Sequence, residues 1–265
     1  RWYPGIGDCP SMDLWDILLL LSVPTMGCCV AYLREPRHKA LVISLPIPFS
    51  IATLAVGRPV NAPHVAGLLL LLGFWYAVYG FRVRTRVPIL LAIALSALGY
   101  CALGAPLARF LPQTEMTFWA TEGVVLLAGM ILYARIGPRN EGTYRSPLPI
   151  WIKAPILAAV VLGLIGIKTL LGGVMTVFPM VGVLTAYEGR HSLWTLCRQV
   201  PILMLSMGPM MAVIHLIEPH LGIAPALGCG WLTLGLLQVA LMRYRGDRDR
   251  HREHGRESSP PGERG

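Results

Sequence analysis

Nine apolar stretches, most close to the about 20 residues that a helix needs to cross a hydrocarbon core, set the terms for this chain. Lipid offers no partner to a free backbone N–H or C=O, so such runs must be helical. Only 14% of the 265 residues are charged and 54% are hydrophobic, whereas soluble domains carry roughly 25% charged residues. The expected class is an all-α polytopic membrane protein.

The stretches cover about Leu14 to Leu33, Ala40 to Val56, Pro63 to Phe81, Pro88 to Ala108, Thr114 to Ala134, Ile150 to Ile167, Lys168 to Arg190, Leu193 to Ile217 and Ile223 to Met242. With nine crossings, nineteen of the 23 lysines and arginines fall on the face that holds the C-terminal tail. The other face receives four: Arg1, Arg58, Arg109 and Lys168. Basic loops stay cytoplasmic. The expectation is therefore a multi-pass protein of a bacterial inner membrane, with the N-terminus outside and the tail inside. The formal charge of +9 is then a matter of orientation rather than of nucleic-acid binding. The tail after Met242 is charged and Pro/Gly-rich, which predicts disorder for 243–265. Residues 1–11 lack the apolar centre of a signal peptide, and Met12 suits an initiator, so they read as a non-native extension.

Two stretches resemble each other. KTLLGGVMTVFPMVGVLTAYEGR (168–190) and KALVISLPIPFSIATLAVGR (39–58) each begin with Lys, hold Phe and Pro centrally, pass a Thr and close on Gly-Arg. Aligning them needs a gap of about three residues. Proline removes a backbone hydrogen bond and opens the helix locally, and paired interrupted spans in two halves mark transporters built from repeats. Residues 12–110 and 150–242 are the two expected four-helix repeats, joined through 111–149, a linker helix and a cytoplasmic connector. The odd helix between them makes the repeats inverted.

The second half also resembles the GlpM-type small inner-membrane proteins, four-span proteins without a defined substrate. The features that carry this are IKAPILAAVVLGLIGIK, VFPMVGVLTAYEGR and LSMGPMM, over about residues 150–240. Glu188 departs from that pattern. The resemblance implies a four-helix unit and no chemistry.

The expected substrate path lies at the broken backbone and its neighbours: Pro46, Pro48, Phe49 and Thr53 in the first half, and Phe178, Pro179, Thr185, Ser206 and Pro209 in the second. Each proline frees a carbonyl that must find a side chain, water or solute; Ser44, Ser50 and Thr176 lie nearby. The alternative is a simple kink relieved by neighbouring helices. Glu122, eight residues into the fifth stretch, is costly there without a cavity or partner, and reads as a proton acceptor or cation ligand, or else as a hydrogen-bonded anchor. Arg198 suits bidentate binding of an anion or snorkelling to headgroups. Glu188 and Arg190 read as a solvated helix end, His64 and His215 as interfacial, and Trp75, Tyr76 and Tyr79 as an aromatic belt.

No GxSxG, HExxH, Walker A loop or CxxC pair is present, so the expectation is no enzyme, no cofactor and no metal. The expected function is transport or flipping of a small or amphiphilic solute, by alternating access around the broken helices. The alternative is a non-transporting scaffold or assembly factor for envelope machinery. The expected partners are membrane lipid and a small-molecule or lipid-like solute, with a homodimer left open.

Overall fold

The computed structural model describes residues 14–33, 42, 45–56, 59–137 and 150–257. Lys39, Ser44, Arg58, most of the polar connector and residues 1–11 lie outside the described residues.

Among the described residues every regular element is helical. In chain order they are α1 (Leu14–Tyr32), α2 (Ile47–Val56), α3 (Ala62–Val83), α4 (Ile89–Phe110), α5 (Glu115–Arg135), α6 (Ile150–Gly166) and α7 (Lys168–Leu171). A 3₁₀ segment, η1 (Gly172–Val177), follows, then α8 (Met180–Glu188), α9 (Leu193–Leu221) and α10 (Ile223–Glu257). Five of them, α3, α4, α5, α9 and the Ile223–Tyr244 part of α10, are long and apolar enough to cross a membrane. The seventh apolar stretch is no single helix. Gly172, at φ 50°, takes the left-handed conformation that favours glycine and ends α7, and Phe178-Pro179 separates η1 from α8.

The bundle is built around α3 and α9. They touch each other, and both touch α5; α3 also holds α4 and η1, and α9 holds α10. Half or more of each apolar window is buried in α3 and α9 (50% and 61%), against 28%, 22% and 28% in α4, α5 and α10. The outer helices turn large apolar side chains outward, among them Leu98 and Leu103 on α4, Leu127 on α5 and Leu236 on α10. That is how helices sit in lipid, where no water drives such groups inside. Because α3 is central, Trp75 is 3% exposed and packs within the bundle, which corrects its place in an aromatic belt.

One further expectation changes. Helix α10 continues to Glu257, through the part where composition predicts disorder. No proline occurs between Pro225 and Pro260, and the sequence sets Asp249, Glu253 and their basic partners Arg252 and Arg256 three apart, a spacing that supports a helix. Gly222, at φ 81°, makes the sharp turn from α9 into α10.

Candidate functional site between two broken helices

Helix α2 starts just after Pro46 and α8 just after Pro179, and both starts border one cavity of about 70 Å³. Pro46, Pro48 and Phe49 come to it from the first half, and Thr176, Phe178 and Pro179 from the second. Leu71 and Trp75 of α3 and Leu203 and Met207 of α9 close it. The two interrupted stretches, 129 to 132 residues apart in sequence, thus share a wall. The volume admits a few water molecules, each needing on the order of 10–15 Å³.

The two helix starts are alike. In α8 the first backbone bond that reaches back a full turn runs from the Val183 N–H to the Pro179 carbonyl at 2.9 Å. Val181 and Gly182, ahead of it, line the cavity. In α2 the equivalent bond runs from the Ser50 N–H to the Pro46 carbonyl at 2.9 Å, with Phe49 ahead of it. The first N–H groups of a helix have no partner within it, and they carry the positive end of its dipole. The cavity is therefore apolar in its side chains and offers backbone donors at two helix ends.

The freed carbonyls of η1 are satisfied from within the protein. Tyr100, 2% exposed on α4, donates its hydroxyl to the Val174 carbonyl at 2.8 Å, and Thr176 Oγ1 donates to the Gly173 carbonyl at 2.7 Å. The Tyr100 ring meets Phe178 edge-on, with centroids 5.0 Å apart. Glycines on the neighbouring helices let η1 in: a Cβ on Gly104 would lie 3.0 Å from Val174 Cγ1, and one on Gly67 3.0 Å from Val177 Cβ. Gly173 itself sits against the imidazole of His64, leaving no room for a Cβ. His64 is fully buried, with Nδ1 2.9 Å from Asn61 Oδ1. This corrects the interfacial position expected for it.

The other site candidates fall elsewhere. Thr53, Thr185 and Ser206 donate to the carbonyls of Phe49, Val181 and Ile202 in their own helices at 2.8–2.9 Å, and none lines the cavity. Pro209 stays inside α9. Glu188 is fully buried, against the expectation of a solvated helix end, on a helix that packs on α1, α4 and α6; Arg190 lies over the Tyr187 ring, 5.0 Å from its centre. Arg198 is half-buried near the start of α9. Glu122 is 3% exposed and lies over Gly208 of α9.

Sequence reasoning missed Tyr100, Trp75, Leu203 and Met207. For Trp75 a signal existed, since Leu68, Leu71, Trp75 and Val78 recur at three and four residues and are all buried, the stripe of a helix packed on one face. A second polar group forms at the bundle end that holds Val60. His215 Nδ1 lies 2.7 Å from the Val60 carbonyl, its Nε2 3.0 Å from Glu115, and its ring stacks on Phe118 at 3.9 Å. Glu218 accepts from the Val60 N–H at 3.1 Å.

Comparison with family models, with curated proteins and with solved structures finds no match to this chain. The function must be argued from the site.

Proposed function

We propose that this chain is a membrane transporter or flippase for a small or amphiphilic solute, working by alternating access around the cavity between α2 and α8. The observation that carries the proposal is that both proline-interrupted stretches place a helix N-terminus on the same cavity. In transporters of inverted repeats, such half-helix ends bind the polar part of the solute at mid-membrane. A solute with a hydrogen-bond acceptor would meet the N–H groups of Phe49, Val181 and Gly182. A lipid-sized one requires the cavity to open.

The proposed architecture is nine crossings, in two inverted four-helix repeats about α5. Exchanging the halves carries α1 to α6, α2 to the α7–η1–α8 stretch, α3 to α9 and α4 to α10. Some contacts support the exchange: α3 with α4 has its counterpart in α9 with α10, and α1 with α2 in α6 with α8, whereas the contacts of η1 with α3 and α4 and of α1 with α8 are not matched to the same extent. The pairs α1–α6, α2–η1 and α3–α9 map onto themselves, and α5 touches both α3 and α9. Even the hydrogen bonds follow, since Tyr100 of α4 reaches Val174 as Trp231 of α10 reaches Ser50 Oγ at 2.9 Å. The inner-membrane setting, the cytoplasmic tail and the GlpM-type kinship of the second half belong to the same proposal, on the loop charges and motifs above.

A scaffold function is favoured by one observation, the small volume of the cavity. Reconstituted proteoliposomes decide between them. Flux of a panel of organic ions and sugars, or flipping of a fluorescent lipid, should exceed that of empty vesicles. Leu203→Trp, which fills the cavity, should remove it while the protein stays folded. Unchanged flux in a folded Leu203→Trp protein would place the path elsewhere, and no flux for any solute would favour the scaffold.

A further inference from the structure

We infer that Glu122 is a proton-binding site that sets the packing of α9, and through it the state of the cavity. The inference rests on the transporter proposed above, with α9 as a moving part. Glu122 is 3% exposed, and neither carboxyl oxygen has a hydrogen-bond partner among the described residues. Its carboxyl lies directly on the backbone of α9: a Cβ on Gly208 would sit 2.5 Å from Oε1. Pro209 follows, and its missing N–H leaves the Leu205 carbonyl without a helical donor in the same turn. Met207, on the other side of Gly208, lines the cavity. One side chain thus touches a proline-weakened turn of a helix that walls the site.

The two protonation states make different demands at this point. The neutral acid has an O–H to donate and tolerates a dry seam, whereas a carboxylate only accepts and needs water or a cation beside it. Gaining a proton therefore favours α9 closed on α5, and losing it favours a seam opened to water. The proton comes from solvent and returns to it.

Among the described residues no other ionisable group is seen to answer Glu122. On α9 none lies between Arg198 and His215. Arg198 is ten residues from Gly208, about 15 Å along the helix. His215 is engaged with Val60 and Glu115. Helix α3, the other neighbour of α5, has none between His64 and Tyr76. Helix α10, which reaches α5 where Tyr133 donates to the Leu241 carbonyl, has none between Cys229 and Arg243. No group of three metal-ligating side chains occurs among the described residues. A proton needs one acceptor, and one is what the site supplies.

The test uses the full chain in lipid nanodiscs and a hydrophobic carbodiimide, which reacts with neutral carboxylic acids in apolar surroundings and is read by peptide mass. Glu122 should be modified at pH 5 and less at pH 9, because the reagent takes only the protonated acid. Glu122→Gln should be unmodified there and should melt at the wild-type temperature, since no hydrogen bond is lost. In a Thr176→Cys background, thiol labelling at the cavity, divided by that of the unfolded chain at the same pH to remove the thiol's own titration, should vary with pH, and should lose that variation with Glu122→Gln. Constant modification across the range, or none where the unfolded chain is modified, overturns the inference. So does protection by sodium at fixed pH, which would make the site a sodium site, or a lowered melting temperature in Glu122→Gln, which would make it an anchor. The carbodiimide result needs no transported solute, so its failure is distinct from failure of the transporter proposal.

Discussion

Gly173→Ala is expected to remove most of the folded protein. The added methyl would run into Nδ1, Cε1 and Cγ of His64, a ring with no exposed surface, fixed against Asn61 at the start of α3. Neither side can give way easily: Gly173 belongs to η1, all of whose residues are buried, and α3 is the most central helix of the first half. Overpacking a core commonly costs about 1–3 kcal/mol, and a clash with a buried ring held by Asn61 belongs at the upper end. Fluorescence-detected size exclusion and a thermal melt would read the loss. Gly99→Ala is the control, because nothing lies within 4 Å of its Cβ position on α4 and alanine favours a helix by roughly 0.5–1 kcal/mol. A double variant with His64→Ala should recover part of the loss, since the two residues are in contact and their effects are coupled. Wild-type stability in Gly173→Ala would show that η1 does not sit against α3 as described.

Tyr100→Phe should be the second largest effect. It leaves the ring and its contact with Phe178 in place and removes only the hydroxyl, the donor to the Val174 carbonyl. Loss of one buried hydrogen bond costs about 0.5–1.5 kcal/mol, seen as a lower melting temperature. Trp231→Phe, the counterpart in the other half, should cost less. Ser50 Oγ, which loses the indole donor, keeps its own bond to the Pro46 carbonyl at 2.9 Å. Equal effects of the two changes would contradict this difference between the halves.

The run of apolar residues made the helices legible, because hydrophobic length is a local property: α3, α4 and α5 begin and end within two residues of the expected bounds. The place of the break was legible too, but not which proline breaks and which only bends. Pro179 ends a segment because Gly172 has already left the helix and Tyr100 and Thr176 donate to carbonyls of η1. Pro209 remains within α9, where packing on α3, α5 and α10 holds the helix together. Burial at helix ends was not legible. His64 and Glu188 stand near chain turns, so distance along the sequence placed them at the water boundary. Neighbouring elements that no local pattern announces cover both. The cavity followed the same rule: its prolines were readable from one stretch at a time, while Trp75, Leu203 and Met207 depend on how helices assemble.

The account turns on whether the cavity between α2 and α8 opens alternately to the two sides of the membrane. The most direct measurement is thiol accessibility at Thr176, which is 2% exposed and lines the cavity. Thr176→Cys would be placed in a chain with its six native cysteines replaced. A membrane-impermeant maleimide is then added to right-side-out or to inside-out vesicles. Alternating access predicts modification from both sides, at rates that a transported solute or Leu203→Trp would lower. Modification from neither side while the same cysteine reacts in detergent-unfolded protein, or from one side alone under every condition, would contradict it.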